Sequence, residues 1–367
     1  MECCVHRVPM RHPGDASAII RLIDEGTLAA EAITAIFGKT EGNGCVNDFT
    51  RGYALSTLSA TLALRLGIAP DTVPLRIAMV MSGGTEGGLS PHFLVFAATA
   101  GGEPRANRKA LAIGTASTAP LRPEDIGRMP QVKATATSVR AAMNRADIAD
   151  PADVHWVQIK CPLLTKERIA EAQSRGARTA TADTYASMGL SRGAGALGAA
   201  LALGEVDPAA LDDGVIGSNL DLWSARASTS AGVELMNSEV VVLGNSAAWS
   251  GDRVIAHGIM RDAIDLPAVA DVLRDLGFAV TGQLDAASAC RIDAVLAKAE
   301  ASRSGVIRGT RHIMGDDSDI QATRHARALV GGVLAGVIGL TDLFVSGGAE
   351  HQGPDGGGPV AVIARCP

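Results

Sequence analysis

Aromatic side chains are scarce, at 3% of the sequence. That is too few for the stacking platforms that single-stranded nucleic acids or sugars require. Basic tracts are missing and the net charge is −6, so neither nucleic acid nor an anionic membrane is an expected partner. The longest apolar run, Ala328 to Leu340, is too short to span a bilayer and reads as a buried helix. The opening stretch MECCVHRVPMRHPGD lacks the apolar core of a secretory signal. Six cysteines (Cys3, Cys4, Cys45, Cys161, Cys290 and Cys366) are scattered without a CxxC pair. This argues against a zinc site or a disulfide framework and points to a reducing, cytoplasmic compartment. The histidines form neither HExxH nor HxxEH, so a catalytic zinc is not expected. His92, His155 and His351 read as ordinary surface or core residues.

What is present is a globular composition, 47% hydrophobic and 20% charged over 367 residues, long enough for two or three domain-sized units. Two motifs have bland explanations. GAGALG (193–198) matches GxGxxG but follows no clear strand and has no acidic residue at a ribose position, so close helix packing explains its glycines better than a dinucleotide does. MGDDSD (314–319) lacks the ligand rhythm of a calcium loop and reads as a solvated acidic turn.

The strongest signal is internal repetition. The pattern S-[GA]-G-x-E occurs at Ser82–Glu86, Ser230–Glu234 and Ser346–Glu350. A strand-like apolar run follows each copy, at 93–96, 240–243 and 360–363. Upstream of each lies an arginine expected to open a small-residue helix: Arg51, Arg192 and Arg324, each after a Thr or Ser suited to an N-cap. Farther upstream, Lys39, Lys160 and Lys298 each end an apolar run, and helical stretches at 16–25, 138–146 and 266–276 precede them. The order lysine, arginine, serine therefore recurs three times, predicting α/β units at 1–103, 112–248 and 254–367 with joins such as TAGGEPRANRKA. Three such units most simply surround one central site.

A serine hydroxyl attacks only when a base removes its proton, and a lysine serves as that base only if burial or a nearby cation lowers its pKa. Here each lysine ends an apolar run, and an arginine of the same unit supplies the cation. Glycines after the serine let backbone N–H groups approach a developing oxyanion. Lys160 has a further distinction, because Trp156 precedes it in VHWVQIK. If Trp156 excludes water, the neutral amine of Lys160 is favoured.

The strings VMSGGTEGGLSPH, SAGVELMNSEVVVLGNS, KAEASRSGVIRGTRHIMGDDSDIQATRHARALVGG and VSGGAEHQGPDGGGPVAVIARC resemble the cyanuric acid hydrolase and barbiturase amidohydrolases, over essentially the whole chain. The resemblance implies an α/β fold of three similar units about a pseudo-threefold axis, a central active site and a homotetramer. It implies Ser230 as nucleophile and Lys160 as its base, with the dyads Ser82–Lys39 and Ser346–Lys298 in support. Arg51, Arg192 and Arg324 would clamp the ring together with Ser82 and Gly83, Ser230 and Ala231, and Ser346 and Gly347. Ala231 departs from the glycine of the other copies but keeps its N–H. The resemblance also implies a structural magnesium or similar hard cation held by Glu300, Ala349, Gln352, Gly353, Pro354 and Gly357; no cofactor is implied for catalysis.

The expected activity is hydrolytic opening of cyanuric acid to carboxybiuret, and then biuret and carbon dioxide. Barbituric acid is the alternative substrate, with residues 319–324 as the place where the choice would be made. Non-catalytic binding of a small acid is a more distant alternative, disfavoured because binding alone would need only the arginines.

Overall fold

Each third of the chain begins with a strand ahead of its first helix, an element the polar–apolar pattern does not announce. The computed structural model describes residues 1–104 and 108–366. Part of the join at 99–110 and the final Pro367 therefore lie outside the described residues. The first third runs β1 (Glu2–Pro9), α1 (Ser17–Asp24), β2 (Ile33–Lys39), α2 (Phe49–Leu66), α3 (Val73–Arg76), β3 (Ala78–Ser82) and β4 (His92–Thr99). The second runs β5 (Ala110–Ser117), α4 (Met129–Arg145), β6 (Val154–Pro162), α5 (Lys166–Ser174), α6 (Thr184–Leu203), β7 (Ala227–Gly232) and β8 (Glu239–Ser246). The third runs β9 (Arg253–Met260), α7 (Leu266–Asp275), α8 (Ala286–Ala289) and β10 (Ile292–Ala299). A small hairpin, β11 (Val306–Ile307) and β12 (Thr310–Arg311), then precedes α9 (Ala322–Ile338), β13 (Phe344–Gly347) and β14 (Gly358–Arg365).

The three sheets share one topology: β1-β4-β2-β3, β5-β8-β6-β7 and β9-β14-β10-β13. In each, the lysine strand pairs parallel with the serine strand. Parallel neighbours need a crossover, and α2, α6 and α9 supply it. Each crossover helix stops on a left-handed glycine: Gly67 (φ 64°), Gly204 (φ 71°) and Gly339 (φ 79°). A side chain there would be strained, so the same stop recurs three times.

The helix starts differ from the sequence expectation. Asp48 caps α2 by accepting the Thr50 N–H at 3.0 Å, and Asp183 caps α6 by accepting that of Ala186 at 2.6 Å. Helix α9 follows Gln321 without a side-chain cap. Thr50, Ser191 and Thr323 therefore lie inside their helices, and Arg192 sits well along α6 rather than at its opening. The Ser191 hydroxyl instead accepts from the Gln131 amide of α4 at 2.9 Å. The GAGALG stretch is likewise inside α6; a Cβ on Gly198 would meet the Val132 carbonyl of α4 at 2.8 Å. Close helix packing accounts for it.

The sheets stand around a shared interior. Their inner faces contribute Phe37, Phe96, Trp156, Val241, Leu296 and Phe344 to a single core, with the rings of Phe37 and Phe344 5.8 Å apart across two units. Truncating such a side chain to Ala costs roughly 3–5 kcal/mol. The outer face of the first sheet packs on Leu58 and Leu62 of α2, and that of the third on Val330 and Leu334 of α9. Among the described residues no helix is long and apolar enough to cross a membrane.

Candidate active site

Strand register places the site. Lys39 stands opposite Ser82, Lys160 opposite Ser230, and Lys298 opposite Ser346, at the carboxyl ends of three parallel strand pairs. All three lysines are fully buried, at 0%, 1% and 1% exposure. The serines line one central cavity together with Gly83, Ala231, Gly347 and the arginines Arg51, Arg192 and Arg327.

The arginines reach across unit boundaries in one rotational sense. Arg51 of the first unit donates to the Ala231 carbonyl of the second at 3.2 Å. Arg192 of the second pairs with Glu350 of the third, with contacts of 2.8 and 2.7 Å. Arg327 of the third pairs with Glu86 of the first at 2.8 Å. The guanidinium groups lie so close to two serine turns that a Cβ would meet Arg327 at 2.3 Å on Gly84 and Arg192 at 2.5 Å on Gly348. Both glycines also have positive φ. Each unit thus completes its neighbour's turn.

This arrangement differs from the sequence reading at the third arginine. Arg324 does not line the central cavity; its side chain is 42% exposed and pairs with Glu86 from outside. Arg327, about one helical turn further along α9, is buried and faces the cavity. Both residues were visible in TRHAR, but only the angle at which α9 enters the site separates them. The motif glutamates were visible too. Their signal is an acid four residues beyond each serine, placed to hold a cation of the site.

The departure at Ala231 also has a steric reason. A Cβ on Gly83 would sit 1.7 Å from Asp48 Oδ2, and one on Gly347 would sit 2.2 Å from Thr323 Cγ2. At position 231 the methyl is accommodated and buried.

The three dyads are not equivalent. Lys39 Nζ donates to Ser82 Oγ at 3.3 Å, and Lys298 Nζ to Ser346 Oγ at 3.4 Å. The Ser82 hydroxyl in turn contacts that of Ser346 at 3.3 Å. Lys160 instead donates to the Met81 carbonyl at 2.9 Å and pairs with Glu234 at 2.8 Å. The buried Ser230 hydroxyl has no partner among the described residues. Burial lowers all three ammonium groups: Lys39 strongly, with Arg327 and Lys298 adding to the effect, and Lys298 to about 7, with Arg192 adding. Burial also lowers Lys160, but Glu234 pulls it back toward the charged form. The Glu234 carboxyl is pushed up by burial, yet Lys160 and Arg51 outweigh this and hold it at about 2. Trp156 is fully buried, with its indole N–H on Gln158 Oε1 at 3.1 Å, but burial does not distinguish Lys160 because the other lysines are equally buried. Glu234 does distinguish it.

The residues implied for a cation lie to one side. Glu300, Ala349, Gly353 and Pro354 line a cleft of 1140 Å³ between the second and third units, which adjoins the central cavity at Arg192. Burial and the neighbouring Glu350 raise the Glu300 carboxyl, whose oxygens take the Ala301 N–H and the Thr323 hydroxyl. Carboxylate and backbone carbonyl oxygens are the donors a hard cation takes; Glu300 supplies the carboxylate of the implied set, whereas the nearby Glu350 is held by Arg192. Gln352 is more committed than the resemblance implied. Its amide oxygen accepts the Thr229 N–H at 2.7 Å, and its nitrogen donates to the Gly348 and Glu350 carbonyls. Gly357 donates to the Pro354 carbonyl. Among the described residues no group of three His, Cys, Asp or Glu side chains is placed to hold a metal.

The family model for amidohydrolase ring-opening proteins matches residues 4–365. The chain is 58% identical to the cyanuric acid amidohydrolase of Azorhizobium caulinodans over 360 residues, covering 98% of this chain and 97% of the relative. It is 53% identical to the cyanuric acid amidohydrolase of Enterobacter cloacae over 368 residues, covering both chains fully. A solved structure of cyanuric acid hydrolase, concerned with evolution by structural concatenation, superposes with a TM-score of 0.95 at 50% identity, over 99% of each chain.

Proposed function

The chain belongs to the ring-opening amidohydrolase family, and from that premise we propose that it hydrolyses cyanuric acid, with Ser230 as nucleophile and Lys160 as base. The observation that carries this reading is the match of symmetries. Cyanuric acid alternates three carbonyls with three ring N–H groups, and the cavity presents a serine, a following backbone N–H and an arginine three times over. Ser230 is the attacker because its hydroxyl is uncommitted, whereas Ser82 and Ser346 are held by their lysines and by each other.

In the first step the Ser230 oxygen bonds to a ring carbonyl carbon and its proton passes to neutral Lys160. The ring C–N bond then breaks, and Lys160 returns the proton to the departing nitrogen. The Ala231 N–H faces the developing oxyanion. Arg51, Arg192 and Arg327, with Ser82 and Ser346, hold the remaining carbonyls and the charge that spreads over the opened ring. Water then cleaves the acyl-serine ester to release carboxybiuret, which loses carbon dioxide to give biuret. A divalent ion held by Glu300 and the 349–357 loop would supply charge neutralisation beside Glu350, and so steady Arg192. The family resemblance extends the reading to a homotetramer, and free cysteines throughout the described residues suit the cytoplasm.

Incubation with cyanuric acid and, separately, barbituric acid tests the reading by loss of ring absorbance. Turnover of cyanuric acid with biuret as end product is expected. Preference for barbituric acid, or binding without turnover, would overturn it.

A further inference from the structure

Lys160 is reached from behind. Its side chain does not line the central cavity, but together with Glu234 it lines a second cavity of 310 Å³ between the first and second units. Arg76 and Met79 of the first unit form one wall; Ser117, Arg145 and Glu239 of the second form the other. Glu239 is the antiparallel register partner of Lys160, and the corresponding partner of Lys39 is His92. In the third unit the pairing of β10 with β14 ends at Ala297, one residue short of Lys298. A carboxylate opposite the lysine is therefore particular to the second unit, where the reading above places the base.

The reaction needs such a route. Opening a ring amide with water breaks C–N, forms C–O and leaves a carboxylic acid. One water proton goes to nitrogen, and the acid's own proton must leave as it ionises. The resting base is also paired with a carboxylate, and it must lose a proton to solvent before it can accept one from Ser230. A ring seated against Ser230 would occupy the central cavity that the three serines line.

Resting on the assignment of Lys160 as base, we propose that Glu239 and the rear cavity form a proton exit, from Lys160 through Glu234 and Glu239 to solvent between Arg76 and Arg145. Burial pushes the Glu239 carboxyl up to about 7, and the nearby Glu234 charge adds to this while the Met79 N–H and Lys160 oppose it. Such a group exchanges protons readily at neutral pH. Arg76, Arg145, Lys160 and Glu234 are the charged groups that line the cavity with it.

The test is Glu239→Gln, which keeps the shape and removes the proton carrier. It should lower kcat by about tenfold or more while leaving KM within about twofold. It should also remove the titration near neutrality from the kcat–pH profile, and small buffer bases such as imidazole should restore the rate saturably. Wild-type kcat with an unchanged pH profile would overturn the exit, as would a fall that imidazole does not rescue. If Glu239→Gln does not fold, Ser117→Leu, which narrows the cavity from its exposed end, should lower kcat at constant KM; full activity would overturn the proposal. Failure of the underlying reading is separable. Turnover by Ser230→Ala would sink the assignment of the base, whereas an inactive Ser230→Ala beside a normal Glu239→Gln would sink only the exit.

Discussion

Lys160 and Ser230 face each other across a parallel strand pair, yet the lysine ammonium is turned to Glu234 at 2.8 Å, and the serine hydroxyl has no partner among the described residues. The same register in the other two units gives direct lysine–serine hydrogen bonds. One of three near-identical corners is thereby set apart. Its lysine is held by an acid, while the lysines of the other two corners reach their serines directly.

Ser230→Ala and Lys160→Ala should each lose at least about a thousandfold in kcat, as when a nucleophile or its base is removed. Ser82→Ala and Ser346→Ala should be costly through poorer carbonyl binding and polarisation. Mass spectrometry of an acid-quenched reaction should find the acyl adduct on the Ser230 peptide. An adduct on Ser82 or Ser346 would reassign the nucleophile.

Arg327→Ala should raise KM by more than about tenfold, since a charged hydrogen-bond donor contributes about 1.5–3 kcal/mol. It should also destabilise the fold, because Glu86 loses its buried partner. Arg324→Ala removes a partly exposed pair and should cost about 1 kcal/mol or less, with little change in KM. Steady-state kinetics and thermal melts of the two variants separate these roles, and equal KM values would contradict the placement.

Much of this site is legible in the sequence. The three lysines lie within two residues of the ends of strands that their apolar runs announce, and the three serine motifs fall where those strands' parallel partners finish. Less legible are features set by orientation. The opening strand ECCVHRVP is too polar to stand out, and gains its partner only when β4 returns beside it. The choice between Arg324 and Arg327 depends on how α9 is aimed. The partners of Glu86 and Glu350 come from other units, and Glu234 meets Lys160 only across the sheet of its own unit, so no local pattern encodes any of the three.

Gly83→Ala should lower both stability and turnover, because its Cβ would fall 1.7 Å from Asp48 Oδ2 and push the cap of α2 aside. Ala231→Gly should be mild, within about 1 kcal/mol by chemical denaturation. If Gly83→Ala matches the wild type in both measurements, the steric account of the motif is wrong.

Stability should fall as pH drops below about 6.5, the unfolded value for histidine. His155 and His257 touch Nδ1 to Nδ1 at 2.8 Å between the second and third units. Burial lowers His155 to about 4, with Arg226 and Lys109 adding to the effect. Burial lowers His257 to about 3, with His155 and Arg226 adding. Between these values and 6.5 the unfolded chain binds more protons than the folded one, so stability is full above that window and is lost on acidification through it. Melting temperatures at pH 7.5 and 5 should differ less for His257→Gln than for the wild type; an equal or larger difference would remove the pair as the cause.

Chelation by EDTA, or Glu300→Gln, should lower the melting temperature while leaving KM within about threefold, because a ligand that binds only the folded state stabilises it. The ion's proposed cleft shares only Arg192 with the lining of the ring cavity. Elemental analysis before and after dialysis provides the control, and a large rise in KM without a thermal shift would place the ion in the ring site instead.

The cross-unit arginines also bear on how the protein folds and fails. Arg51 meets a residue 180 positions away, Arg192 one 158 away, and the Arg327 pair spans 241. Contacts of such sequence separation form late, after most of the chain's freedom has been surrendered. Catalytic competence should therefore be the last property acquired on refolding and the first lost in denaturant. Residual activity would then count only molecules in which all three sheets have docked.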